Sequence, residues 1–315
     1  MMNNFIKYLQ TKDLTQSTQN AYLRNVNLFL NWLETEPMNA RKKDVLKYLE
    51  YLKNSKKQQN ITRRNALIAL THYFDFLRKN GQITANPTNL LKIRGTKKKQ
   101  LYNTFTAQEL TQLADDYYNN FVKNFEENHI PKNQRQNSFL TRNRNYLMLT
   151  FLVCQGLHTN ELQKITLDDI EPLKASVTIT GSKKTNERKL TLKPEQIGFL
   201  MHYLQNIRPL FLEHYNIEND NLFLTLPEVG KVKTEQTKLM QTLKSLTKQV
   251  KSISPNFTNF KQIRASAITE WIKTEGLRKA QYNAGHRYIS TTETYLPNDI
   301  KQLTDEVEKY NPFSF

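Results

Sequence analysis

Between residues 14 and 79 apolar side chains return at every third or fourth position, a period that fits amphipathic helices and excludes strands. Tyr22, Val26, Phe29, Leu30 and Leu33 form one stripe, opened by the capping hydroxyls of Thr15, Ser17 and Thr18. Val45, Leu46, Leu49 and Leu52 form a second. Leu67, Leu70, Phe74 and Leu77 form a third, over about Thr62 to Lys79, and Asn80-Gly81 closes it. Past Asn86-Pro87 the period stops. The string KIRGTKKKQLYN combines glycine and charge without periodicity, which is the signature of a linker. The expected organisation is an all-helical domain over residues 1–95, a basic linker over 96–104 and a second domain over 105–315. Two domains are ordinary for 315 residues.

The second domain mixes periods. Asn143 to Val153 reads as an apolar helix, followed by Gly156. Val177 and Ile179, then Leu190 and Leu192, alternate in period two around the turn GSKKTNER and predict a β-hairpin. Helices are expected over Pro194 to Ile207, over Glu235 to Ser252, and over Arg264 to Glu275 with Ile268, Trp271 and Ile272 inward and Gly276 as the stop. Ile300, Leu303 and Val307 mark a short amphipathic tail helix. The polar, aromatic-dotted run from Asp115 to Ser138 carries no assignment. The fold class is therefore mainly α with one small antiparallel sheet.

Charge narrows the partner. The chain carries a formal net charge of +17, and residues 41–100 hold sixteen Lys and Arg against Asp44, Glu50 and Asp75, a net +13. So many like charges in one segment repel unless an anion compensates them, and a duplex phosphate backbone is such an anion. The single cysteine, Cys154, excludes a disulfide framework, and six scattered histidines without HExxH spacing argue against a metal site. The longest apolar stretch, Tyr146 to Cys154, is too short to span a bilayer, and the opening residues lack a signal-peptide core. A cytoplasmic, nucleoid-associated protein is expected.

Order and spacing add a resemblance. LTQSTQNAYLRNVNLFLNWL and NITRRNALIALTHYFDFLRKNGQITANP are similar to the first and last helices of the core-binding domain of tyrosine recombinases, the integrase family of site-specific DNA recombinases. RNRNYLMLTFLVCQGLHTNELQKITLDDI resembles the start of that family's catalytic domain, ITGSKKTNERKLTL its β-hairpin, and FKQIRASAITEWI and AGHRYISTTETY its second catalytic boxes. The last string is the most specific, with His286 and Tyr295 nine apart and Thr291-Thr292 between. The resemblance covers nearly the whole chain and points to a Xer-like or simple two-domain integrase. It implies a helical SAM-like domain and an α-rich catalytic domain closing as a C-shaped clamp on duplex DNA.

By this resemblance Tyr295 is the nucleophile that forms a 3′-phosphotyrosyl bond, a step that preserves the phosphodiester energy and calls for neither metal nor other cofactor. Arg264 binds the non-bridging phosphate oxygens. Lys183, or the adjacent Lys184, is the general acid for the leaving 5′-oxygen. His286 hydrogen-bonds phosphate or nucleophile. Lys261 stands three before Arg264, where the family has His or Lys, and Glu161 matches the acid that braces the family's first arginine. Arg63 and Arg64 on the third helix and Lys97, Lys98 and Lys99 in the linker are the expected phosphate contacts. Arg142 and Arg144 also match a family string and are expected to be structural.

One position departs from the family. After Gly156-Leu157 the family has its first catalytic arginine, and this chain has His158. By analogy with the loss of an oxyanion donor, the deficit is about 10² to 10³ in rate. A protonated His158 recovers part of it without the bidentate fork, and Arg287 is the nearest candidate to substitute. The expected function is integration, excision or transposition of a mobile element by strand cleavage and religation. It implies a tetramer on paired sites, with accessory DNA-bending or directionality proteins as possible partners. Two alternatives stay open: a catalytically impaired DNA-binding relative, and a nicking-closing enzyme of the type IB topoisomerase kind. The tail helix either docks into a neighbouring subunit or packs on its own core.

Overall fold

The computed structural model describes residues 2–95, 102–124, 130–183, 185–216, 218–225 and 235–296, with the side chains of 235–238 left out. The expectations for Lys97, Lys98, Lys99, Lys184 and the tail helix lie outside these residues. The chain divides into two compact units, residues 1–100 and residues 101–315.

Among its described residues the first unit holds four α-helices, α1 (Met2–Gln10), α2 (Gln16–Trp32), α3 (Lys42–Asn54) and α4 (Asn60–Lys79), with a 3-10 turn at Pro37–Asn39. The last three follow the apolar stripes. Thr15 caps α2, its hydroxyl accepting the Thr18 N–H at 3.3 Å. Helix α1 went unforeseen, yet it inserts Phe5 and Leu9, both wholly buried, into the same core. Phe5 meets Tyr73 edge-on at 5.2 Å, and Phe29 meets Tyr48 edge-on at 5.1 Å. Leu67, Leu70, Phe74 and Leu77 are buried as the third stripe requires, whereas Leu46 of the second stripe is 43 % exposed and Tyr48 takes the inward position. Gly81, at φ +70°, ends the unit's last helix.

The second unit is built around two buried helices. Helix α6 (Lys132–Cys154) starts eleven residues before the apolar run that announces it, and Leu147, Met148, Leu149, Phe151 and Leu152 are all fully buried. A helix apolar on every side belongs in a core. It packs on α5 (Ala107–Tyr118), whose N-terminus is a capping box between Thr106 and Glu109, and on α11 (Phe260–Glu275). Helix α5 and the π-turn Asn119–Lys123 fill the head of the stretch left unassigned. Ile263, Ala265 and Ile268 of α11 are buried, while Trp271 and Ile272, expected inward, are only half-buried.

The sheet is antiparallel, in the order β1 (Ile170–Glu171), β2 (Ser176–Ile179), β3 (Arg188–Thr191). The foreseen hairpin is β2–β3, with Val177 opposite Leu190 and Ile179 opposite Arg188; β1 is a short addition pairing Ile170 with Val177. Around it lie α7 (Thr159–Leu162), α8 (Pro194–His202), α9 (Arg208–Tyr215), α10 (Glu235–Ile253), α12 (Leu277–Ala284) and α13 (Ile289–Glu293). A π-helical segment over Tyr203–Ile207 joins α8 to α9, so the helix expected over Pro194 to Ile207 is present and runs on to Tyr215. Among the described residues no helix is long and apolar enough to cross a membrane.

Candidate active site

Four chain segments converge at the ends of α6, α11 and α12. The first leaves α6 through Gly156, at φ +54°, where a Cβ would stand 2.8 Å from the Trp271 ring and 3.0 Å from Ala267 Cβ. That close approach brings His158 to the N-cap of α7. Its Nδ1 accepts the Asn160 N–H at 3.2 Å, and its own backbone N–H donates to Glu161 Oε2 at 2.7 Å. An accepting Nδ1 is unprotonated, which leaves the proton on Nε2. Desolvation, then the Arg264 cation, with Lys261 adding to them, hold His158 below the usual histidine pKa. The free protein therefore carries a neutral His158 that offers one N–H.

The second segment supplies Arg264 from the second turn of α11. Its guanidinium is buried and donates to two carbonyls, Gly156 at 2.7 Å and Ala284 at 2.7 Å. Burial lowers its pKa, and Glu161 and the Tyr295 hydroxyl facing it oppose that loss. Lys261, one turn earlier, is exposed on the same end of α11.

The third segment begins where α12 ends at Gly285. His286 is 8 % exposed; its Nδ1 stands 3.0 Å from Thr292 Oγ1 and its Nε2 is 3.4 Å from an Arg264 nitrogen. Desolvation by burial, then the Arg264 and Arg188 cations, push its pKa down to about 4. Tyr295, half-buried just after α13, stacks on the His286 ring with centroids 5.7 Å apart and planes at 17°. Tyr295, His286 and Arg264 are thus in one place, as the resemblance implies.

The fourth segment is the hairpin. Lys183 is exposed in its turn, and the base of that turn is fastened to the His286 segment. Thr185 bridges to His286, and the Asn186 N–H donates to Gly285 O at 2.9 Å. At the start of β3, Arg188 reaches under Gly285 and grips both oxygens of Glu161, at 2.9 and 3.1 Å. Burial pushes the Glu161 carboxyl up, but Arg188, Arg264 and the His158 N–H outweigh it, and its pKa settles below the ordinary value. Glu161 therefore braces Arg188, where the resemblance has it bracing an arginine at position 158. Arg287, the first candidate to substitute, is exposed.

Arg188 was missed, although a signal existed. It lies two and four residues before Leu190 and Leu192, so period two puts it on their inward face. Arg144 is buried, donating to Leu224 O at 2.7 Å and to Asn145 Oδ1 at 2.9 Å, which is the structural role expected of it. Among the described residues no group of His, Cys, Asp and Glu could hold a metal ion.

In the first unit Arg63 and Arg64 part ways. Arg63 is half-buried, donating to Leu49 O at 3.1 Å and to Asn60 Oδ1 at 3.2 Å. Arg64 is exposed and lines a groove with Lys92 and Arg94, two cations the sequence reading did not single out.

Comparison with known proteins gives the same grouping. Residues 1–80 match the model of the phage integrase N-terminal SAM-like domain, and residues 120–302 match that of the phage integrase family. The tyrosine recombinase XerD of Listeria innocua serovar 6a is 24 % identical over 324 residues, covering 99 % of this chain and 98 % of its own. Two solved structures share the fold. One is the XerH site-specific recombinase bound to palindromic difH substrate in a post-cleavage complex, with TM-score 0.64, 19 % identity, 93 % of this chain and 80 % of that one. The other is a lambda integrase tetramer bound to a Holliday junction, with TM-score 0.60, 14 % identity, 93 % of this chain and 75 % of that one. With both of its units matched by integrase models and the larger match spanning more than half its length, the chain belongs to the phage integrase family.

Proposed function

We propose that this chain is a site-specific DNA recombinase that cuts and rejoins strands through a 3′-phosphotyrosyl bond at Tyr295. The observation that carries the reading is the stacking of Tyr295 on His286 with its hydroxyl facing Arg264. In this mechanism the scissile phosphate enters beside Arg264, whose guanidinium takes charge from the non-bridging oxygens as the phosphorane forms. The Nε2–H of His158 gives a further hydrogen bond in place of a second guanidinium. The arriving anion offsets the Arg264 and Arg188 charges that add to burial in holding His286 low, and its imidazole accepts the phenolic proton. The Tyr295 oxygen bonds to phosphorus, the bond to the 5′-oxygen breaks, and the Lys183 ammonium protonates that oxygen. Attack by a 5′-hydroxyl of another strand reverses each step.

Residues 1–95 serve as the core-binding domain, residues 96–104 as a basic connector and residues 105–315 as the catalytic domain. Positive charge supplies affinity, and paired sites gather four subunits, as in the lambda integrase tetramer on its junction. Work on chromosomal or mobile-element DNA places the protein in the cytoplasm, with the nucleoid.

His158 favours a second reading, a DNA-binding relative that has lost cleavage. One experiment separates the two: nicked suicide duplexes built from DNA flanking the gene, incubated with wild type, Tyr295→Phe and His158→Arg, and run on a denaturing gel. The recombinase reading expects a covalent band from wild type that Tyr295→Phe abolishes. A band from His158→Arg alone establishes the second reading instead.

A further inference from the structure

Arg188 touches no solvent with its side chain, so it cannot meet DNA, yet it links three of the four segments that build the site. Its two terminal nitrogens hold both Glu161 oxygens, and its Nε donates to Asn283 O at 2.8 Å. It thereby joins three segments: its own strand, which leads back into the Lys183 turn, the α7 turn that carries His158, and the end of α12 that delivers His286. The tie at Gly285 is close, since a Cβ there would stand 2.5 Å from an Arg188 nitrogen.

Its charge matters as much as its contacts. Glu161 Oε2 is 3.7 Å from Arg264, near enough to attract it, while the short hydrogen bonds of Arg264 go to carbonyls. A buried carboxylate without another cation would close on Arg264 and spend the guanidinium's charge on itself. Arg188 occupies both oxygens and keeps Arg264 for the substrate. We propose that Arg188 is a positioning residue of the cleavage site, which holds Glu161 off Arg264 and locks the His158 and His286 turns to the hairpin. This assignment rests on the cleavage reading above.

The test measures single-turnover covalent trapping by wild type, Arg188→Met and Arg188→Lys, with melting and duplex binding recorded for each. Two substrates are used: the ordinary suicide duplex, and one whose scissile phosphate has a methyl group in place of one non-bridging oxygen, which lessens the demand on Arg264. The expected result is a folded Arg188→Met that binds duplex like wild type and traps the ordinary phosphate about 30-fold more slowly. On the methyl-substituted phosphate its penalty shrinks to about three-fold or less. Equal penalties on the two substrates, or an unchanged rate on the ordinary one, overturn the assignment and leave Arg188 a structural residue. If Arg188→Met does not fold, the ratio of penalties is read from Arg188→Lys, which keeps the charge and loses the fork. No covalent complex from wild type on either substrate defeats the cleavage reading itself, and this assignment with it.

Discussion

Glu161 is the residue on which the site balances, because one carboxylate serves two guanidiniums and the N-terminus of α7 together. The same turn gives His158 two separable tasks. Its Nδ1 caps α7, and in the proposed mechanism its Nε2–H serves the phosphate. Asparagine keeps a cap acceptor, and its shorter amide draws the donor back from the place of Nε2. His158→Asn is expected to melt within about 1 kcal/mol of wild type and to trap DNA about 10-fold more slowly, checked by thermal melts and single-turnover gels. His286 sets a pH dependence with a fixed sign. A histidine whose folded pKa lies near 4 instead of the ordinary 6.5 binds fewer protons folded than unfolded. Its contribution is complete above pH 6.5 and is lost as pH falls toward 4. Melting temperature is therefore expected to drop across that interval less steeply in His286→Asn than in wild type.

At the level of elements, legibility followed periodicity. Three of the four helices in the first unit were readable because each presents one apolar face, and the β2–β3 hairpin because Val177, Ile179, Leu190 and Leu192 alternate. Helix α1 went unread because nine residues hold only two core anchors, Phe5 and Leu9. The first three turns of α6 went unread because KNQRQNSFLTR is polar and holds a single buried side chain, Leu140. In the site, Tyr295, Arg264 and His286 were legible only through the family resemblance of FKQIRASAITEWI and AGHRYISTTETY, since one tyrosine among fifteen carries no signal by itself. Arg188 hid because a charged residue beside a turn looks solvated, and only its register with Leu190 exposes its inward face. Backbone tells the same story at Gly156, which must take a left-handed conformation and lie against Trp271. Gly156→Ala is expected to destabilise the second unit by about 1–3 kcal/mol and to slow trapping, since the displaced turn carries His158. In the first unit, Arg64→Ala should lower the slope of log affinity against log salt by about one, without loss of stability. Arg63→Ala should lower the melting temperature instead, because Arg63 secures Leu49 O and Asn60.

Across the whole molecule the charge and the chemistry are divided between the units. Most of the +17 lies in residues 41–100, while the convergent histidines, arginines and tyrosine all lie beyond residue 150. Binding and cleavage should therefore separate by mutation: substitutions at Arg64, Lys92 and Arg94 weaken duplex binding, and Tyr295→Phe leaves it intact. In the proposed mechanism Tyr295, and no neighbouring phenol, becomes bonded to DNA. Tyr282 and Tyr288 are nearby in sequence and 53 % and 68 % exposed, so exposure alone would choose one of them. The most direct measurement digests the trapped protein–DNA complex with protease and nuclease and locates the nucleotide-bearing peptide by mass spectrometry. The expected adduct is on Tyr295. An adduct on Tyr282 or Tyr288, or a complex that forms undiminished in Tyr295→Phe, would contradict it.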